Sequence, residues 1–73
     1  MPEITILTDT IRLSQFLKLA NVAQDGAEAK FHILAGGVKV NGEMETRRGR
    51  KLRVGDRIEI QGQTFAVTAG SKG

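Results

Sequence analysis

The chain has 73 residues, no cysteine and a formal net charge of +3, which leaves room for one domain and excludes disulfide staples and thiolate metal sites. A chain this short buries only about 60% of the surface that its unfolded form exposes, so nearly every apolar residue is needed for the core. No apolar run approaches the ~20 residues of a membrane span, and Met1-Pro2-Glu3-Ile4 lacks the basic start and apolar core of a signal peptide, so the reading is a soluble cytoplasmic protein with no membrane partner.

In chain order, the alternation and β-branching of residues 3–8 predict a first strand. Asp9 and Thr10 offer oxygens that can cap the start of a helix. That helix is amphipathic, with Leu13, Phe16, Leu17 and Ala20 on one arc and Arg12, Gln15 and Lys18 opposite, and Asn21-Val22 close it. Asp25 is placed to cap a second helix running from about Gly26 to Ala35. Ala27, Phe31 and Leu34 share one of its faces and Ala29 and Ile33 another, so the helix reads as sandwiched, with Lys30 between the faces. Gly36-Gly37 end it. Val38-Lys39-Val40 before Asn41-Gly42 predict a hairpin, because a tight primed turn needs two residues that tolerate positive φ. Glu43-Met44-Glu45 is the return strand, on which Glu43 and Glu45 read as solvated charge. Val54-Gly55-Asp56 turns into a strand over 57–60, Gly62 turns the chain again into a strand at 64–68, and residues 70–73 read as a flexible tail. The order β, α, α and then short strands defines an α+β domain, two helices packed against a small, mainly antiparallel sheet.

Between the hairpin and the last strands lies a run of cations: Arg47, Arg48, Arg50, Lys51, Arg53 and Arg57, against which only Asp56 stands. This local charge exceeds that of the whole chain, so the remainder is slightly acidic. Charge gathered in one place makes a directional field, and a phosphate backbone is its commonest partner. Arginine dominates the run, and its planar fork binds phosphate oxygens in pairs. Gly49 argues against a continuous helix or strand there. Arg12, Lys18 and Lys39 extend the same surface if the helices stand beside the hairpin.

Catalysis has little to work with. The one histidine, His32, lies mid-helix without metal-spaced partners, and no glycine pattern matches a nucleotide cradle. The expectation is a non-enzyme with no cofactor, metal or small-molecule substrate. Tyrosine and tryptophan are absent, and Phe16, Phe31 and Phe65 fall on apolar patterns, so a platform for stacking bases is not expected.

Four segments together resemble the S-four-type RNA-binding domain, or alpha-L motif: residues 11–20 (IRLSQFLKLA), Ala29-Lys30 with Ile33, residues 36–42 (GGVKVNG) and residues 54–60 (VGDRIEI). The resemblance spans about residues 11–60, with flanking strands at 3–8 and 64–68, and is nearest to the short stand-alone bacterial members. It implies two helices against a hairpin and the gripping of structured RNA, ribosomal or transfer RNA, along the helices and the adjoining loop, possible partners including ribosomal particles. By that resemblance Arg12, Lys30, Lys39 and Asn41 occupy RNA-facing positions. Asp25-Gly26 stand where many relatives carry Ser-Arg or Thr-Arg, and Asp25 would repel phosphate. The resulting expectation is a monomeric RNA-binding module in ribosome assembly or translation, with Arg47, Arg48, Arg50, Lys51 and Arg53 as the main phosphate contacts and Arg12, Lys18, Lys30, Lys39 and Asn41 widening the footprint. The alternative is an adaptor whose basic loop docks on an acidic protein or on the ribosome. DNA binding fits less well, since neither helix gathers base-reading side chains at its start.

Overall fold

A computed structural model describes residues Met1–Gly70. The strands are β1 (Glu3–Ile6), β2 (Thr10–Arg12), β3 (Val38–Val40), β4 (Glu43–Met44), β5 (Lys51–Arg53), β6 (Arg57–Ile60) and β7 (Gln63–Ala69), and the helices α1 (Leu13–Leu19) and α2 (Gly26–Leu34) lie between β2 and β3. Five strands form a sheet in the order β1-β7-β6-β3-β4. Its pairs are antiparallel except β1 with β7, which run parallel. The α+β architecture is as read from the sequence.

Alternation explains the layering. Val38 and Val40, Ile58 and Ile60, and Phe65 and Val67 point inward from β3, β6 and β7, and are met by Leu13, Phe16 and Leu17 of α1 and Ala29 and Ile33 of α2. Phe16 and Phe65 join helix to sheet edge-to-face, with ring centroids 6.4 Å apart. Both helices end in the same way. Asn21 (φ 68°) and Gly36 (φ 79°) take the left-handed conformation, and the amides of the residues after them, Val22 and Gly37, donate back to the carbonyls of Leu17 and His32. The expected hairpin turn is present, with φ of 53° at Asn41 and 88° at Gly42.

The structure departs from the sequence reading in several places. The first strand stops at Ile6, short of residue 8. Asp9 and Thr10 do not cap α1: Thr10-Ile11-Arg12 are extended and pair antiparallel with Lys51-Leu52-Arg53 in a separate two-stranded ribbon. The return strand ends at Met44. Glu45 turns inward and is only 6% exposed, not solvated. Helix α2 is covered on one side alone, leaving Phe31 and Leu34 exposed, and Val54 at the turn before β6 is exposed as well. Gly70 is tied down, its amide donating to the Ile6 carbonyl at 2.9 Å. The rest of the expected tail, Ser71–Gly73, lies outside the described residues.

Candidate nucleic-acid interface

Helix α1 begins without a side-chain cap. A helix leaves its first amides without partners, and here two of them are met by backbone: Leu13 donates to the Arg50 carbonyl at 2.8 Å and Ser14 to the Arg48 carbonyl at 3.1 Å. The basic segment is thereby fixed to the start of α1. Its last part continues as β5, whose alternation buries Leu52 and leaves Lys51 and Arg53 exposed. In the ribbon register Arg12 stands directly opposite Lys51, and Thr10 opposite Arg53. Directly opposed residues of an antiparallel pair share a face. One face of the ribbon therefore carries Arg12, Lys51 and Arg53, while Leu52 and Ile11 turn to the core.

Beside the ribbon is a cleft of about 250 Å³ lined by Arg12, Ser14, Gly26, Arg48 and Gly49. Arg12 and Arg48 reach it from opposite segments of the chain. Gly26, the first residue of α2, contributes no side chain, and a Cβ there would meet nothing within 4 Å, so the cleft stays open. Each helix adds a lysine one turn further on. Lys18 follows Ser14 by four residues and Lys30 follows Gly26 by four, a spacing that keeps them on the same stripes, and both are exposed. At the start of α2 the Glu28 amide is taken: Asp25 accepts it at 2.9 Å, the cap expected there, and the Glu28 side chain in turn accepts the amide of Gln24, just before the cap, at 2.6 Å.

Two arginines of the run are held inside the protein's own network. The buried Glu45 carboxylate accepts from Arg50 Nη1 at 2.6 Å and from Arg47 through Nε at 3.1 Å and the backbone amide at 3.0 Å. The Arg47 and Arg50 hydrogen bonds hold its pKa down to about 2 against the cost of burial, and Arg47 is raised in return. Arg12, Arg48, Lys51 and Arg53 form no ion pair among the described residues. Lys39 and Asn41 do not line the cleft. Lys39 lies on the open face of the sheet, between Met44 and Glu59, and the Asn41 side chain accepts the Arg57 amide at 3.0 Å and donates to Asp56 at 3.1 Å, pinning the hairpin turn to the next one. Sequence reasoning missed Glu45, and it missed Ser14 and Gly26 as lining residues. Glu45 left one signal, a carboxylate two residues before the run of arginines.

A family model described as the S4 domain matches residues 4–68. The chain belongs to the S4 domain family. Among its relatives, the Probable ribosome maturation protein RlbA of Bacillus subtilis (strain 168) is 54% identical over 59 residues, 81% of this chain and 83% of that protein. YbcJ of Escherichia coli (strain K12) is 37% identical over 59 residues, covering 81% of this chain and 84% of YbcJ. The solution structure of YbcJ, described as revealing an alfaL motif involved in RNA-binding, superimposes with a TM-score of 0.73 at 33% identity, covering 94% of this S4 domain and 89% of YbcJ. The 30S ribosomal protein S4e of Thermoplasma acidophilum shares the fold, with a TM-score of 0.62 at 24% identity over 81% of this chain and 31% of that one.

Proposed function

We propose that this S4 domain is a non-catalytic cytoplasmic module that binds structured RNA, ribosomal or transfer RNA, as a monomer. The observation that carries the reading is the cationic face of the ribbon with its adjoining cleft. Arg12 and Lys51 stand opposite each other, and like charges so placed repel. Arg12, Arg48, Lys51 and Arg53 have no carboxylate partner among the described residues, and Lys18 and Lys30 flank them. An arrangement of this kind is unfavourable by itself and favourable around a phosphate backbone, whose oxygens accept paired hydrogen bonds from guanidinium groups. In this footprint Arg47 and Arg50 shape the segment through Glu45 and reach the backbone from its edge, while Lys39 and Asn41 lie at the periphery. Two relatives support the reading by description, YbcJ through its RNA-binding motif and RlbA through ribosome maturation, and the second supports a role in ribosome assembly.

The test is an electrophoretic shift with ribosomal RNA, transfer RNA and a DNA duplex of equal length, comparing the wild type with R12A/R48A. Preferential binding of RNA, weakened at least about tenfold in the double variant, is expected from the loss of two charge-assisted contacts. Equal binding of RNA and DNA, or unchanged affinity in the variant, overturns the reading and leaves docking on an acidic protein.

A further inference from the structure

Three side chains line the cleft beside the ribbon, because two of its lining residues, Gly26 and Gly49, have none. Arg12 and Arg48 bring guanidinium groups, which donate hydrogen bonds and accept none. Ser14 brings the one side-chain oxygen of the lining, and a hydroxyl both donates and accepts. That hydroxyl has no hydrogen-bond partner among the described residues. The Ser14 amide, by contrast, is committed to the Arg48 carbonyl at 3.1 Å, which sets Ser14 and Arg48 side by side. The Cβ of a helical residue tilts towards the start of its helix, and for Ser14 that is the direction of Arg12 and the cleft.

A ligand that satisfies these three side chains needs acceptors for the two guanidinium groups and, next to them, a group that both donates to the Ser14 oxygen and accepts from it. An ionised phosphodiester supplies acceptors alone. In RNA the 2′-hydroxyl sits on the ribose carbon beside the one that bears the 3′-phosphate, so the anion and a group that donates and accepts arrive as one unit. The DNA backbone carries the same phosphate without the hydroxyl. No aromatic or apolar side chain lines the cleft to meet a base, so what it matches is sugar and phosphate.

We propose that the Ser14 hydroxyl reads the ribose 2′-hydroxyl of a nucleotide whose 3′-phosphate lies between Arg12 and Arg48, and so sets the preference of this cleft for RNA over DNA. The proposal rests on the RNA-binding reading and deepens it: the arginines supply attraction to any phosphate backbone, and the serine distinguishes the sugar.

The experiment measures dissociation constants at fixed salt for a ribosomal RNA hairpin and for its 2′-fluoro copy, which keeps the A-form helix but has no hydroxyl to donate, using wild type, S14A, S14T and R12A/R48A. The quantity compared is the ratio of the two constants within each variant, from which any loss of folded protein cancels. Wild type is expected to prefer the hydroxyl form. S14A should lose about two- to tenfold on that form alone, the worth of one hydrogen bond, and S14T, which keeps the hydroxyl, should retain the preference. If the ratio in S14A equals that of wild type, while R12A/R48A binds both hairpins more weakly, the serine proposal fails and the RNA reading stands. If R12A/R48A binds like wild type, the RNA reading fails and the serine proposal with it.

Discussion

Glu45 is held by three donors at once, the Arg50 and Arg47 guanidinium groups and the Arg47 amide. Removing its charge strands two arginines whose positions it defines, and Glu45→Gln is expected to cost about 1–3 kcal/mol in urea unfolding at neutral pH. The pH dependence has a definite sign. Because the folded pKa is depressed from 4.5 to about 2, the contribution is complete above pH 4.5 and is lost as pH falls towards 2. The stabilities of wild type and E45Q should therefore converge across that window, and a constant difference through it would contradict the assignment. Arg12 poses the opposite case. It faces Lys51 across the ribbon and caps nothing with its side chain, so Arg12→Gln should raise stability by about 0.2–1 kcal/mol through relief of repulsion while weakening RNA binding. A variant that loses both stability and affinity would show that Arg12 has a structural partner. Residues such as Glu45 and Phe31 were not legible in sequence. A glutamate two residues after another in a short strand reads as solvated charge, and only the chain's turn after Met44 carries Glu45 inward.

At the scale of elements, the turns and the cap at Asp25 were legible, whereas the start of α1 and the strand pairings were not. Asn41-Gly42, Asn21 and Gly36-Gly37 announce their conformations locally because few residues accept positive φ. The ribbon of β2 and β5 announces nothing. Each strand is three residues long, too short for alternation to register, and the two are joined across some forty residues of chain. Helix α2 offered two apolar stripes, and its sequence holds no instruction about which one packs; Ala29 and Ile33 do, while Phe31 and Leu34 stay outside. The ribbon's hold on the core is Leu52, which is fully buried. Leu52→Ala is expected to cost about 2–5 kcal/mol and, by loosening β5, to lower RNA affinity although no cation is removed. Ile58→Ala in the five-stranded sheet is the control, expected to destabilise comparably and to leave the affinity of the folded protein unchanged. Equal losses of affinity in both variants would detach the ribbon from the binding surface.

Over the whole molecule, a modest net charge of +3 conceals a surface on which the ribbon and the cleft gather four cations that have no ion-pair partner among the described residues. Binding should then be steeply salt dependent, the affinity falling with a log–log slope of about 3 for four neutralised phosphates. In R12A/R48A the slope should drop to about half, as read from titrations between low and physiological salt. A slope near zero would remove phosphate from the account. The sequence by itself determined the α+β class, the amphipathic first helix, the turns and the presence of a basic surface, because each depends on local conformational preference or on composition. Only the tertiary structure decided which cations are free. Arg47 and Arg50 are neighbours of Arg48 in the chain, yet a buried carboxylate holds those two, whereas Arg48 meets Arg12, far away in sequence, across a cleft floored by glycines. Charge is written in the sequence, but its compensation depends on distances that only folding sets.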